Sequence, residues 1–102
     1  MAELDDLTRD YRAAFLRYLP RRSEAAMTLG YQLGRDAVVR GISVLDLSQV
    51  HHAVLAEVLA DTPTEETAAV TAAASDFLLE VLATYDMAHR GLAEVRKEDD
   101  RG

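Results

Sequence analysis

The sequence contains no cysteine and no tryptophan, only two prolines and six aromatic residues among 102. Without cysteine, neither a disulfide framework nor a thiolate metal site is possible. With so few aromatics in a chain that is 49% hydrophobic, the core has to be assembled mainly from Ala, Leu and Val. Such residues bury little area each, and at roughly 25 cal/mol per Å² a domain of this size gains a thin margin over its conformational entropy. Association with a second copy would widen that margin. Cationic residues are also scarce, 11 Lys and Arg against 18 Asp and Glu, for a formal charge of -7. That balance opposes binding to a phosphate backbone, so nucleic acid is not an expected partner. No uninterrupted apolar run approaches the roughly 18 residues that cross a bilayer, and Met1 to Asp6 is acidic where a secretory leader would be basic and then apolar. The expectation is a cytoplasmic protein with no membrane attachment.

The few breaks divide the chain into four helices. Before Pro20, Leu4, Leu7, Tyr11, Ala14 and Tyr18 recur at steps of three and four, with Phe15 and Leu19 widening the stripe. Ser23 is placed to cap a second helix that runs to Arg40, and Gly41 to end it in the left-handed conformation. Ser43, three residues before Asp46, caps a third through Leu47, Val50, Val54 and Val58, which the segment from Asp61 to Thr64 closes. The last helix is predicted to start with Thr62 as cap and Pro63 as first helical residue, with Glu65 and Glu66 in its first turn. Its stripe of Thr71, Ala74, Leu78, Val81, Tyr85, Ala88, Leu92 and Val95 has coiled-coil spacing. The sequence thus predicts an all-α, four-helix bundle-like domain over residues 1–95, a homodimer with a long C-terminal helix. Residues 96–102 are expected to form a charged, solvated tail or the start of a linker.

The second helix holds Gly30 and Gly34, each costing about 1 kcal/mol relative to Ala. Together with Ala26, Leu33, Ala37 and Gly41 they form a nearly flat strip on which another backbone can lie closely, within the bundle or across a subunit interface. Leu78, Val81 and Tyr85 of the last helix are candidates for the same packing. His51 and His52 invite thought of metal or phosphoryl chemistry, but adjacent helical residues diverge by 100° and cannot meet on one ion. His51 shares a face with Leu47, Val54 and Val58, which predicts a buried, hydrogen-bonded ring. A histidine phosphotransfer domain using His51 or His52 is the alternative; it would want an exposed ring, a small following residue and a nearby lysine, and no lysine precedes Lys97. No phosphate loop, nucleophile elbow or His-Glu-x-x-His helix is present, and Glu57, Glu65, Glu66, Asp76 and Glu80 show no acid and base spacing. A non-enzymatic protein without metal or cofactor is expected. Candidate partner-binding residues are those the core leaves free: Thr28, Gln32, Arg35 and Val39 opposite the glycine strip, and Leu79 and Ala83 away from the seam of the last helix. Scattered surface hydrophobes or additional bundle core would account equally well for the last two.

The run Tyr31-Gln32-Leu33-Gly34-Arg35-Asp36-Ala37, followed by Gly41-Ile42-Ser43 and Leu45-x-Leu47-x-x-Val50-His51-His52-x-x-Leu55, resembles the N-terminal domain of RsbU-type phosphoserine phosphatases of the general stress response. Phe77-Leu78-Leu79-Glu80-Val81-Leu82 and Tyr85-x-Met87-Ala88, together with Tyr11 and Arg17-Tyr18, extend the similarity from about residue 4 to 92. The resemblance implies a dimeric helical domain that binds the switch kinase RsbT, a protein otherwise held in a stressosome. Binding then activates a metal-dependent phosphatase domain, which dephosphorylates an anti-anti-sigma factor. It also implies that Thr28 and Leu79 fall on the kinase-contact surface. The phosphatase domain is absent from the chain, which suggests an excised regulatory domain or a free-standing relative.

Overall fold

A computed structural model describes the backbone of residues 2–101 and the side chains of residues 4–95. It is all helical, with α1 Ala2–Tyr18, α2 Glu24–Val39, α3 Val44–Ala60, a 3-10 turn at Thr64–Glu66 and α4 Thr67–Arg101. Local chemistry sets most of these boundaries. Ser23 Oγ accepts from the Ala26 amide and Ser43 Oγ from the Asp46 amide, both at 3.1 Å, so each serine satisfies one of the amides that a helix start leaves open. Gly41 takes φ 72°, the left-handed conformation that ends α2.

Two ends differ from the sequence expectation. Thr62 does not cap α4; its hydroxyl donates back to the Val58 carbonyl at 2.6 Å, and Pro63 stands before a 3-10 turn rather than inside a helix. A side chain spent on the preceding helix cannot serve the next one. Helix α4 also stays helical through Arg101 where a charged tail is expected. The sequence signals nothing at Arg22, yet it adopts φ 45° and its amide donates to the Tyr18 carbonyl at 2.7 Å to close the α1–α2 turn. Its guanidinium donates to the Ala69 carbonyl of α4 at 2.6 Å.

The helices form a ring in the order α1, α2, α4, α3, so the α2–α3 link crosses a diagonal. Helices α2 and α4 run parallel and make the closest pair. The core comprises Leu7, Tyr11, Phe15 and Tyr18 of α1, Leu33 and Ala37 of α2, Leu47, Val50 and Val54 of α3, and Ala73, Ala74, Phe77 and Val81 of α4. Phe77 is its centre: Tyr11, Phe15 and Tyr18 approach it with ring centroids 5.3, 5.6 and 5.5 Å away. Edge-to-face and tilted contacts of this kind add to the area buried. No buried side-chain nitrogen or oxygen among the described residues lacks a partner.

The buried stripe of α4 therefore keeps Ala74 and Val81 of the expected line but centres on Phe77 instead of Leu78. Leu78 is only half-buried and Thr71 is exposed. Within Thr64–Val95 this helix is long and apolar enough, by length and composition, to cross a membrane. Asp76 and Glu80 interrupt that stretch, and Ala73, Ala74, Phe77 and Val81 within it are buried in the bundle.

Candidate partner-binding face

The glycine strip of α2 serves the interior of the bundle. A Cβ on Gly30 would lie 3.2 Å from the Phe77 ring. One on Gly34 would collide with the Val81 carbonyl oxygen and come within 2.9 Å of the Tyr85 amide nitrogen and 3.0 Å of Thr84 Cβ. Missing side chains thus let two backbones touch, which compensates the helix propensity lost at both glycines. Val81 is fully buried in this contact. Tyr85, half-buried, donates its hydroxyl to the Ile42 carbonyl at 2.8 Å and so pins the α2–α3 corner to α4.

This packing sorts the candidate residues by face. Thr28, Arg35, Leu79 and Ala83 are all exposed. Helical projection from the Gly34–Val81 contact puts Thr28, Tyr31 and Arg35 on the outer flank of α2 beside α4, and Asp76, Leu79, Ala83 and Met87 on the outer side of α4. Leu79 is turned about 160° from Val81 and so faces away from α2. It is 64% exposed and Met87 70%, so the outer side of α4 is apolar. Thr28 turns its hydroxyl inward to the Glu24 carbonyl at 3.0 Å, which leaves its methyl facing out. Gln32 does not join them. It lines a groove of about 310 Å³ between α1 and α2, with Asp10, Arg17 and Asp36 at the edges and Ala14 and Leu33 at the floor. Val39, 80% exposed, lies at the far end of α2.

A second apolar zone gathers at that end. Val44 and Leu45 begin α3 there, 51% and 65% exposed, and α4 carries Leu92 and Val95 past the end of α2, 41% and 55% exposed. Val44, Tyr85, His89 and Leu92 line a cleft of about 360 Å³ in this region.

His51 is half-buried, and its Nδ1 lies 2.7 Å from the Tyr11 hydroxyl. Burial lowers its pKa, helped by the neighbouring His52, and burial also raises the Tyr11 phenol well above its usual value. Burial thus favours the protonated phenol and the neutral imidazole. His52 is exposed on another side of α3, and no group of three potential metal ligands occurs among the described residues. Two contacts escape sequence reading altogether. Arg12 grips Glu57 through two hydrogen bonds of 2.7 and 3.0 Å, joining α1 to α3 and lowering the carboxyl pKa. Tyr11 is legible as a core residue, but its histidine partner, 40 positions away, is not.

No curated relative and no solved structure gives a significant match. Residues 9–88 match the family described as "Phosphoserine phosphatase RsbU, N-terminal domain". That span runs from the middle of α1 to the half of α4 that packs against α2, and so takes in most of the core, the glycine seam and the outer sides of α2 and α4. With 80 of its 102 residues inside the match, the chain belongs to the family of RsbU N-terminal domains, the regulatory rather than the phosphatase part of that protein.

Proposed function

We propose that this domain is a non-catalytic, cytoplasmic regulator that forms a homodimer, binds an RsbT-like switch kinase through the α2/α4 surface, and gates a linked phosphatase in partner-switching control of a sigma factor. The observation that carries the binding step is Leu79, a large apolar side chain left 64% exposed on the family-matched part of α4, beside Ala83. An uncovered leucine on the outer side of a bundle helix suits burial in a partner's recess. The homodimer is supported by the second apolar zone, where Leu92 and Val95 extend the α4 stripe beyond any helix that covers it. Residues 1–95 would be the regulatory unit and 96–102 the lead into a linker, along which a change in the helix pairing of the dimer reaches the output domain. The phosphotransfer alternative is disfavoured at His51 by the half-buried ring and its bond to Tyr11, and at the exposed His52 by the lack of any lysine before Lys97. Titration calorimetry with the RsbT-like kinase of the source organism tests the reading. Wild type binds it and Leu79→Asp weakens binding at least about tenfold, a loss of roughly 1.4 kcal/mol. An undiminished affinity in Leu79→Asp, with helicity intact, would overturn the choice of surface.

A further inference from the structure

Charge is distributed unevenly along the chain. From Ile42 to His89 there is no Lys or Arg, while Asp46, Glu57, Asp61, Glu65, Glu66, Asp76, Glu80 and Asp86 lie in the same stretch. Within it Glu57 is answered by Arg12 of α1 and Asp86 by Arg90. Asp46, Asp61, Glu65 and Glu66 have no such partner among the described residues, and neither do Asp76 and Glu80. The last two stand one turn apart on α4, a like-charge i,i+4 pair that costs a helix about 0.2–0.5 kcal/mol. Arg22 is near enough to act on the same buried phenol, Tyr18, as these two carboxylates do, but its guanidinium is committed to the Ala69 carbonyl.

The two acids flank the exposed apolar centre. By helical projection Asp76 and Glu80 lie between Leu79 and α2, on the side where Thr28 and Tyr31 emerge. The only cation that α2 itself contributes is Arg35, farther along the helix. An apolar knob bordered by two unneutralised carboxylates is half of a complementary pair. The missing half is an apolar recess with positive charge at its rim, because attraction across an interface steers encounter and like charge at the same places blocks it. A twofold contact of this face with its own copy is disfavoured by the same sign rule, since it would set Asp76 and Glu80 against the same acids of the second chain.

Resting on the partner-binding reading above, we infer that the α2/α4 face docks a protein surface whose rim is rich in Arg and Lys, with Leu79 entering an apolar recess and Asp76 and Glu80 facing the cations. The domain's own dimer contact lies elsewhere, so both can be made at once.

Surface plasmon resonance with the RsbT-like kinase of the source organism, at about 50 mM and about 300 mM NaCl, tests this on wild type, Glu80→Lys, Asp76→Asn and Asp46→Lys. Glu80→Lys turns the repulsive pair with Asp76 into an attractive one, so the domain should melt no lower than wild type and a loss of binding cannot be put down to unfolding. The wild-type association rate should fall about tenfold with the added salt, Glu80→Lys should slow association by a similar factor at low salt, and Asp76→Asn should slow it less. Asp46→Lys, at the start of α3, should bind like wild type. Binding that is indifferent to salt and to Glu80→Lys would overturn the cationic rim while leaving the kinase as partner. Wild type that fails to bind the kinase at either salt concentration would overturn the underlying reading itself.

Discussion

Helix α4 passes through two environments. Between Ala73 and Val81 it gives four fully buried side chains to the core and lies so close to α2 that a single methyl group would collide with its backbone at Gly34. From Met87 to Val95 it carries Met87, Leu92 and Val95, exposed by 70%, 41% and 55%, and a methyl at Gly91 would meet nothing within 4 Å. Both halves have similar helical patterning. The difference is the presence of a neighbour: the parallel α2 ends at Val39, while α4 continues to Arg101. Periodicity states which residues a neighbour would bury and is silent on whether the neighbour is in the same chain.

The strongest way to break this comparison is to truncate one apolar residue in each half. Phe77→Ala removes the ring around which Tyr11, Phe15 and Tyr18 are gathered and should cost about 3–5 kcal/mol, a large part of the stability of a domain this size. Leu92→Ala should change the unfolding free energy from urea titration by less than about 0.5 kcal/mol at concentrations low enough to keep the chain monomeric. Similar losses at both positions would show that the far half is packed after all.

The glycines sharpen the same contrast with opposite signs. Gly34→Ala gains helix propensity yet forces apart the backbones of α2 and α4, and thermal melting should show a net loss of about 2 kcal/mol or more. Gly91→Ala has open space around its Cβ and should stabilise by about 0.5–1 kcal/mol. Between these falls a pH effect in the locked region. The folded-state pKa of His51 is lowered, so the fold favours the neutral ring and the unfolded chain binds the proton more readily. The contribution of His51 is complete above its unfolded value of about 6.5 and declines as pH falls through the lower folded value. Denaturant midpoints at about pH 7.5 and 5.5 should differ in wild type by more than in His51→Gln, which carries no titrating ring.

What the sequence discloses and withholds follows from the range of each interaction. Ser23, Gly41 and Ser43 act on backbone groups within a few residues, so the helix ends they set are readable in order along the chain. The stripe of α1 is equally plain, because Leu7, Tyr11, Ala14, Phe15 and Tyr18 face one continuous core. The buried line of α4 keeps Ala74 and Val81 of the expected stripe but takes Phe77 in place of Leu78, since 3-4 spacing admits two adjacent stripes and only the neighbouring helices select one. The left-handed turn at Arg22 carries no sequence signal because a non-glycine residue is held there by its contacts to Tyr18 and Ala69. The exposed set on α2 and α4 is legible residue by residue. Its division is not: Gln32 turns to the α1 groove while Thr28 and Arg35 stay exposed on the other flank of α2, which depends on which helices are neighbours.

The account stands most directly on whether the uncovered half of α4 finds its cover in a second chain. Sedimentation equilibrium of wild type beside the double variant Leu92→Asp, Val95→Asp measures that. A dimer for wild type and a monomer of unchanged helicity for the variant is the predicted result. A wild-type chain that stays monomeric across the whole concentration range, or a variant that dimerises as well as wild type, would contradict it.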